Sequence, residues 1–246
     1  MLKSATTAPY RPLSRDELFA RFDLSESSSK HLLVLYSLAV GLNAKVILDL
    51  GLGQTTGALR AGALRTGGVV HTCDFDKRRF QHILPEQDEH WKLYLEPSSS
   101  FLEKVSEPVD LVMHDGAHDY YNVKRDLEAI IPKMRKFGIV CVHDTQQPDL
   151  SQDMLGAIRD ATKKFAVSIT NLPFSAGMAI IRVETGRYPA IDPSTGMMPD
   201  GRIETQLREF PTIPDQGNIS VNRGRSLLIA VKIKVGHMLR QAGLKS

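Results

Sequence analysis

Residues 45–57 read KVILDLGLGQTTG, and the fold turns on how this stretch changes character. KVILDL is a short apolar run rich in β-branched residues, of strand length. Gly51-Leu-Gly53 breaks it, and from Thr56 a helical pattern runs to Arg65. Strand, glycine turn and helix in that order open a βαβ unit. The same kind of run recurs at Val69–Asp74 (VVHTCD), Asp110–His114 (DLVMH) and Gly138–His143 (GIVCVH), with a weaker one at Lys92–Leu95. Near-continuous apolar runs suit parallel strands covered on both faces.

Helical patterns over Val123–Met134 and Leu150–Lys164 separate the later runs. In the first of these, Val123, Leu127, Ile130, Ile131 and Met134 share a face. Ala166–Asn171 and Gly177–Arg182, joined by a turn through residues 172–175, read as a hairpin. The expectation is an α/β fold, Rossmann-like and doubly wound, with a mostly parallel seven-stranded sheet that ends in an antiparallel hairpin.

The core so defined covers residues 30–183. Ahead of it, residues 1–29 read as a polar N-terminal segment with a short helix at Arg15–Phe22, and the apolar helix Lys30–Leu42 then opens the core. Behind it, residues 184–222 carry Pro189, Pro193, Pro199, Pro211 and Pro214 and read as an extended arm. Residues 223–246 read as a basic amphipathic helix, with Leu227, Leu228, Val231, Val235, Met238 and Leu239 on one arc. Packing of that helix on the core or on a second subunit ranks ahead of contact with an anionic membrane surface. Arm and helix together favour a homo-oligomer.

Composition narrows the class. The chain has 246 residues, of which 42% are hydrophobic and 24% charged, which excludes disorder and coiled coil. A net charge of +3 is too small to argue for nucleic acid. It is also uneven, because no acidic residue follows Asp215 while Arg223, Arg225, Lys232, Lys234, Arg240 and Lys245 do. No apolar run reaches the roughly 18–20 residues that span a bilayer, and the start lacks the apolar region of a secretory signal. The two cysteines, Cys73 and Cys141, fall in predicted strands. A reduced, cytoplasmic protein is the expectation.

The glycine loop carries the first functional signal. Glycines let backbone approach a ligand closely, and the following helix N-terminus offers free N–H groups. Thr56 stands where GxGxxG needs its third glycine, so the nicotinamide pattern fails, and no Gly-Lys-Ser/Thr makes a phosphate loop. Asp49, two residues before Gly51, would repel a pyrophosphate but could anchor a cationic amino-acid ligand. Asp74 ends the second strand, where a carboxylate accepts hydrogen bonds from both ribose hydroxyls. This pair of carboxylates around Gly51 and Gly53 resembles the first two motifs of class I S-adenosylmethionine-dependent methyltransferases.

A second signal lies at the ends of the fourth and fifth strands. Asp115 and His118 follow one, and His143 and Asp144 close the other. In an open parallel sheet these ends face one crevice, so the four side chains converge beside the glycine loop. Two carboxylates suit Mg²⁺, and imidazole shifts preference toward Mn, Fe or Zn. Asp115 and Asp144 could also serve as helix N-caps. The pattern D-G-x-H-x-Y, followed by G-x-x-x-x-H-D-T, is similar to the metal-dependent O-methyltransferases that include catechol O-methyltransferase and the macrolide-sugar and cephalosporin-tailoring enzymes.

That resemblance implies S-adenosylmethionine as cofactor and a Mg²⁺ or other divalent ion on Asp115 and Asp144, with His143 as a further ligand. It also implies His118 as general base. Position 143 is often a carboxylate in those enzymes, and Thr55 stands at the loop's third small residue. The exit of the third strand, Glu96-Pro-Ser-Ser-Ser100, occupies the place where they contact adenine, which assigns Ser98 or Ser99; a plain helix N-cap reads the same residues equally well. The expected function is O-methylation of a hydroxyl on a sugar, phenol or secondary metabolite. A non-catalytic nucleotide-binding scaffold with the same fold is the second reading.

Overall fold

A computed structural model describes residues 10–24, 28–76, 87–106 and 108–184. The expected arm, apart from its first residue, and the expected C-terminal helix lie outside the described residues. Two helices lead in, α1 (Arg15–Phe22) and α2 (Ser29–Gly41). Ser14 caps α1 and Glu17 closes a capping box with it, satisfying two N–H groups that the first turn leaves free.

The βαβ succession follows: β1 (Val46–Leu50), α3 (Gln54–Thr66), β2 (Val69–Cys73), β3 (Trp91–Tyr94), α4 (Ser98–Lys104), β4 (Val109–His114), α5 (Tyr120–Ile130), β5 (Met134–His143), α6 (Ser151–Thr162), β6 (Val167–Leu172) and β7 (Met178–Val183). The seven strands lie in the order β3-β2-β1-β4-β5-β7-β6. The pairs from β3 to β5 are parallel, and β7 runs antiparallel to both β5 and β6. Strand order reverses between β1 and β4, so a crevice opens beyond the C-terminal ends of those strands.

One expected boundary is corrected. The helical pattern extended to Met134, but α5 ends at Ile130, residues 131–133 form a 3-10 turn, and Met134 begins β5. Pro132 has no N–H to donate, so the α-helical ladder cannot continue through it and the chain tightens into the 3-10 turn instead. Met134 still reaches the core, from the strand.

Each face of the sheet buries its own core. Ile47, Val70, Leu111, Met113 and Cys141 pack with α2 and α3. Leu48, Leu50, Val112, Val140 and Val142 pack with α4, α5 and α6. Alternation along β1 and β4 therefore sends neighbouring residues to opposite layers. No helix among the described residues is long and apolar enough to cross a membrane.

Candidate active site

A cavity of about 480 Å³ opens at the C-terminal ends of β1 to β4. Gly51, Asp74, Glu96, Ser98, Ser99, Asp115 and Arg125 are among its lining residues. Gly51 has φ +114, and a Cβ there would stand 2.6 Å from the Asp115 carbonyl oxygen. Only glycine fits that close approach. The Asp115 N–H in turn donates to the Leu50 carbonyl at 2.9 Å. The glycine loop and the end of β4 are thus packed backbone to backbone.

The two loop carboxylates have different surroundings. Asp74 lines the cavity, its Oδ2 accepting from the Leu52 N–H at 3.0 Å and its Oδ1 from the Asp76 N–H at 2.8 Å. Asp49 is fully buried beneath the loop and does not line the cavity. Its Oδ2 accepts from the hydroxyls of Thr56 at 2.6 Å and Thr72 at 3.1 Å. Burial outweighs those bonds and pushes the carboxyl up to about 7. Gly53 and Thr55 also stand away from the cavity; Gly53 donates its N–H to Thr56, and Thr55 is fully buried.

Asp115, His118, His143 and Asp144 come together as their strand ends require. His143 Nδ1 lies 3.2 Å from Asp115 Oδ1 and 3.0 Å from Asp144 Oδ1. His118 Nε2 lies 3.2 Å from Asp144 Oδ2 and 3.7 Å from Asp115 Oδ1. Asp115, His118 and Asp144 each offer one ligand atom within 4.8 Å of the others. None of these imidazole nitrogens makes an aligned hydrogen bond. Two carboxylates with imidazole at these separations are a donor set that suits a divalent cation.

Electrostatics bind the cluster further. Burial opposes ionisation of Asp115, but close contacts with His118 and His143 overcome it and hold the carboxyl near 2. Burial likewise opposes charge on His143, and contacts with Asp115 and Asp144 raise it to about 10. The contact with Asp115 raises His118 too, against the effect of burial. Asp144 sits at φ 60, a left-handed conformation that costs a non-glycine residue about 1–3 kcal/mol and is found at functional sites.

Three residues that sequence reasoning passed over belong to this region. His114 lines the cavity, and its Nε2 contacts Asp126 Oδ2 at 3.2 Å. Asp126 could have been noticed as an acid inside the apolar stripe of α5, between Val123 and Leu127. His31, on α2, is fully buried with its ring 5.0 Å from that of His143. Burial, followed by the charge of His143, lowers it to about 4 and keeps it neutral.

Residues 48–145 match a protein-family model described as a methyltransferase domain. No curated protein matches the chain in sequence. Among solved structures, a Corynebacterium glutamicum protein shares 15% identity at a TM-score of 0.51, covering 70% of this chain and 89% of that one. An O-methyltransferase from Bacillus cereus, in complex with S-adenosylhomocysteine, shares 16% identity at 0.50, covering 68% and 89%. A Podospora anserina methyltransferase bound to the same molecule shares 16% at 0.50, covering 69% and 86%. These likenesses are of the fold alone.

Proposed function

We propose, from the match of residues 48–145 to a methyltransferase-domain model, that the chain transfers a methyl group from S-adenosylmethionine to a hydroxyl of a small molecule, assisted by a divalent metal ion. The observation that carries this reading is the meeting of Asp115, His118, His143 and Asp144 against the loop that Gly51 forms. The cavity has the size of a cofactor site. Gly51 lines it and lets the loop pack against the Asp115 backbone, and His114 Nδ1 is a buried polar atom awaiting a partner.

When bound, the cofactor supplies an electrophilic methyl on sulfur, and the ion lowers the pKa of a hydroxyl that reaches it. Asp74 offers a carboxylate to ribose hydroxyls at the end of β2, and Ser98 and Ser99 face the adenine end. Asp49 supports the loop from below and sets a negative charge behind it when ionised. Asp115, Asp144 and His143 would hold the ion. His118, the more exposed of the two clustered imidazoles, takes the proton of the acceptor hydroxyl and keeps it at Nε2 between the two carboxylates. The packing of Gly51 on the Asp115 backbone ties the loop beside the cofactor cavity to the end of β4 that carries the metal cluster, and positioning of two bound reactants contributes about 7–11 kcal/mol in favourable models.

The experiment is methyl transfer from labelled S-adenosylmethionine to a panel of phenols, catechols and sugars, with Mg²⁺ or Mn²⁺ and with chelator. Labelled product that disappears with chelator supports the reading. Label transfer indifferent to chelator removes the metal from it.

A further inference from the structure

Helix α1 turns more large apolar side chains outward than inward. Of Leu18, Phe19 and Phe22, only Leu18 is buried, packed with Leu32 of α2 and Ala58 of α3. Phe19 is 51% exposed and Phe22 38%, and Leu24, just past the helix, is 43% exposed. At about 100° per residue, Phe22, Arg15, Phe19, Asp23 and Asp16 share about 120° of arc. Arg15 lies over the Phe19 ring at 5.7 Å and Lys30 over the Phe22 ring at 5.1 Å, so cations border both rings. Single apolar residues are ordinary on a surface, but neighbouring rings rimmed by charge mark a contact face.

The charges at the two ends of this face are set against the helix itself. Asp16 and Glu17 in the first turn and Arg21 in the last suit the macrodipole. Arg15 at the first helical position and Asp23 at the C-cap oppose it. Among the described residues neither has an ion-pair partner. Both stand four residues from Phe19, on opposite sides. When a second copy lies antiparallel across the first, with a twofold axis at Phe19, Arg15 of each copy meets Asp23 of the other. A twofold contact needs a self-complementary patch, and this one has rings at its centre and opposite charges at its ends. Antiparallel helices also bring the positive end of one dipole beside the negative end of the other.

We propose that α1 is the contact face for a second copy of this chain, an antiparallel pair centred on Phe19 and closed at each end by Arg15 with Asp23. The inference is independent of the methyl-transfer reading. One short helix buries less than the roughly 1,200 Å² of a standard complex, so the pair belongs to the weak, concentration-dependent class.

Sedimentation velocity of the full chain between about 1 and about 200 µM covers the range such an interface requires. Wild type should pass from monomer to dimer within it. Phe19→Ser should weaken association at least about tenfold, with native circular dichroism. Arg15→Asp or Asp23→Arg alone sets like charges opposite each other twice, by symmetry, and should weaken it by a similar factor. Each of these changes suits the dipole of α1, so the loss is not one of folding. The double variant Arg15→Asp, Asp23→Arg should return to within about threefold of wild type. A wild-type chain still monomeric at about 200 µM overturns the inference. Weakening in both single variants without recovery in the double overturns the antiparallel arrangement. An oligomer that no α1 variant weakens, but that removal of residues 223–246 abolishes, overturns it in favour of the C-terminal segment.

Discussion

Replacing Asp49 with asparagine takes an ionisable group out of the floor of the glycine loop while keeping its shape. The asparagine Oδ1 can still accept from Thr56 and Thr72, the two hydroxyls that reach Asp49 Oδ2. The carboxyl has a folded pKa of about 7 against 3.8 in an ordinary setting. A raised acid binds its proton more tightly in the folded state. Its contribution to stability is therefore complete below pH 3.8 and lost as pH rises toward 7. At about 1.36 kcal/mol per unit, wild type should lose about 3 kcal/mol relative to Asp49→Asn between about pH 4.5 and pH 8. For a domain of this size that is a divergence of about 6–12 °C in Tm.

Thermal melts of both proteins at the two pH values measure it. Other titrating groups are common to both, so the change in their Tm difference isolates Asp49. The variant should be the more stable protein at pH 8, relative to its standing at pH 4.5. Parallel melting temperatures at both values would refute the burial argument.

Other perturbations probe the remaining parts of the site. Gly51→Ala forces a side chain into the left-handed region and against the Asp115 carbonyl, so S-adenosylhomocysteine affinity should fall more than tenfold in calorimetry, with Tm lowered. His118→Ala should lower turnover by about 10²–10⁴ while S-adenosylhomocysteine binding stays within about threefold of wild type; undiminished turnover removes His118 from the proton transfer. Asp144→Asn should abolish any stimulation by Mg²⁺ or Mn²⁺, read as a flat metal titration of rate. Ser14→Ala breaks the capping box of α1 and should cost about 1 kcal/mol in urea melts.

The sheet was legible because strands buried on both faces leave apolar runs that no surface element shows. β1, β2 and β4 lie within one residue of their expected bounds at each end. The end of α5 was misread because apolar spacing continues through Ile131 and Met134, and Pro132 overrides it. The convergence of Asp115, His118, His143 and Asp144 followed from adjacency of β4 and β5 alone. Their mutual distances did not, since these depend on the left-handed turn at Asp144. The link between His114 and Asp126 was hidden for a different reason. It joins a strand end to a helix face, and although the apolar stripe of α5 places Asp126 on the inward side, nothing in the spacing names His114 as its partner. His31 offered still less, because an imidazole on an apolar helix has no sequence mark that its ring will meet His143. Asp49 was read as a ligand anchor, and the structure places it under the loop with its hydroxyl partners.

The most direct measurement is calorimetric titration of the chain with S-adenosylhomocysteine, for wild type and for Asp74→Ala. Asp74 lines the cavity and also holds the Leu52 N–H of the glycine loop. Micromolar binding by wild type, weakened at least tenfold in the variant, is the predicted result. Wild-type protein that takes up no S-adenosylhomocysteine, with or without Mg²⁺, would contradict the account at its centre.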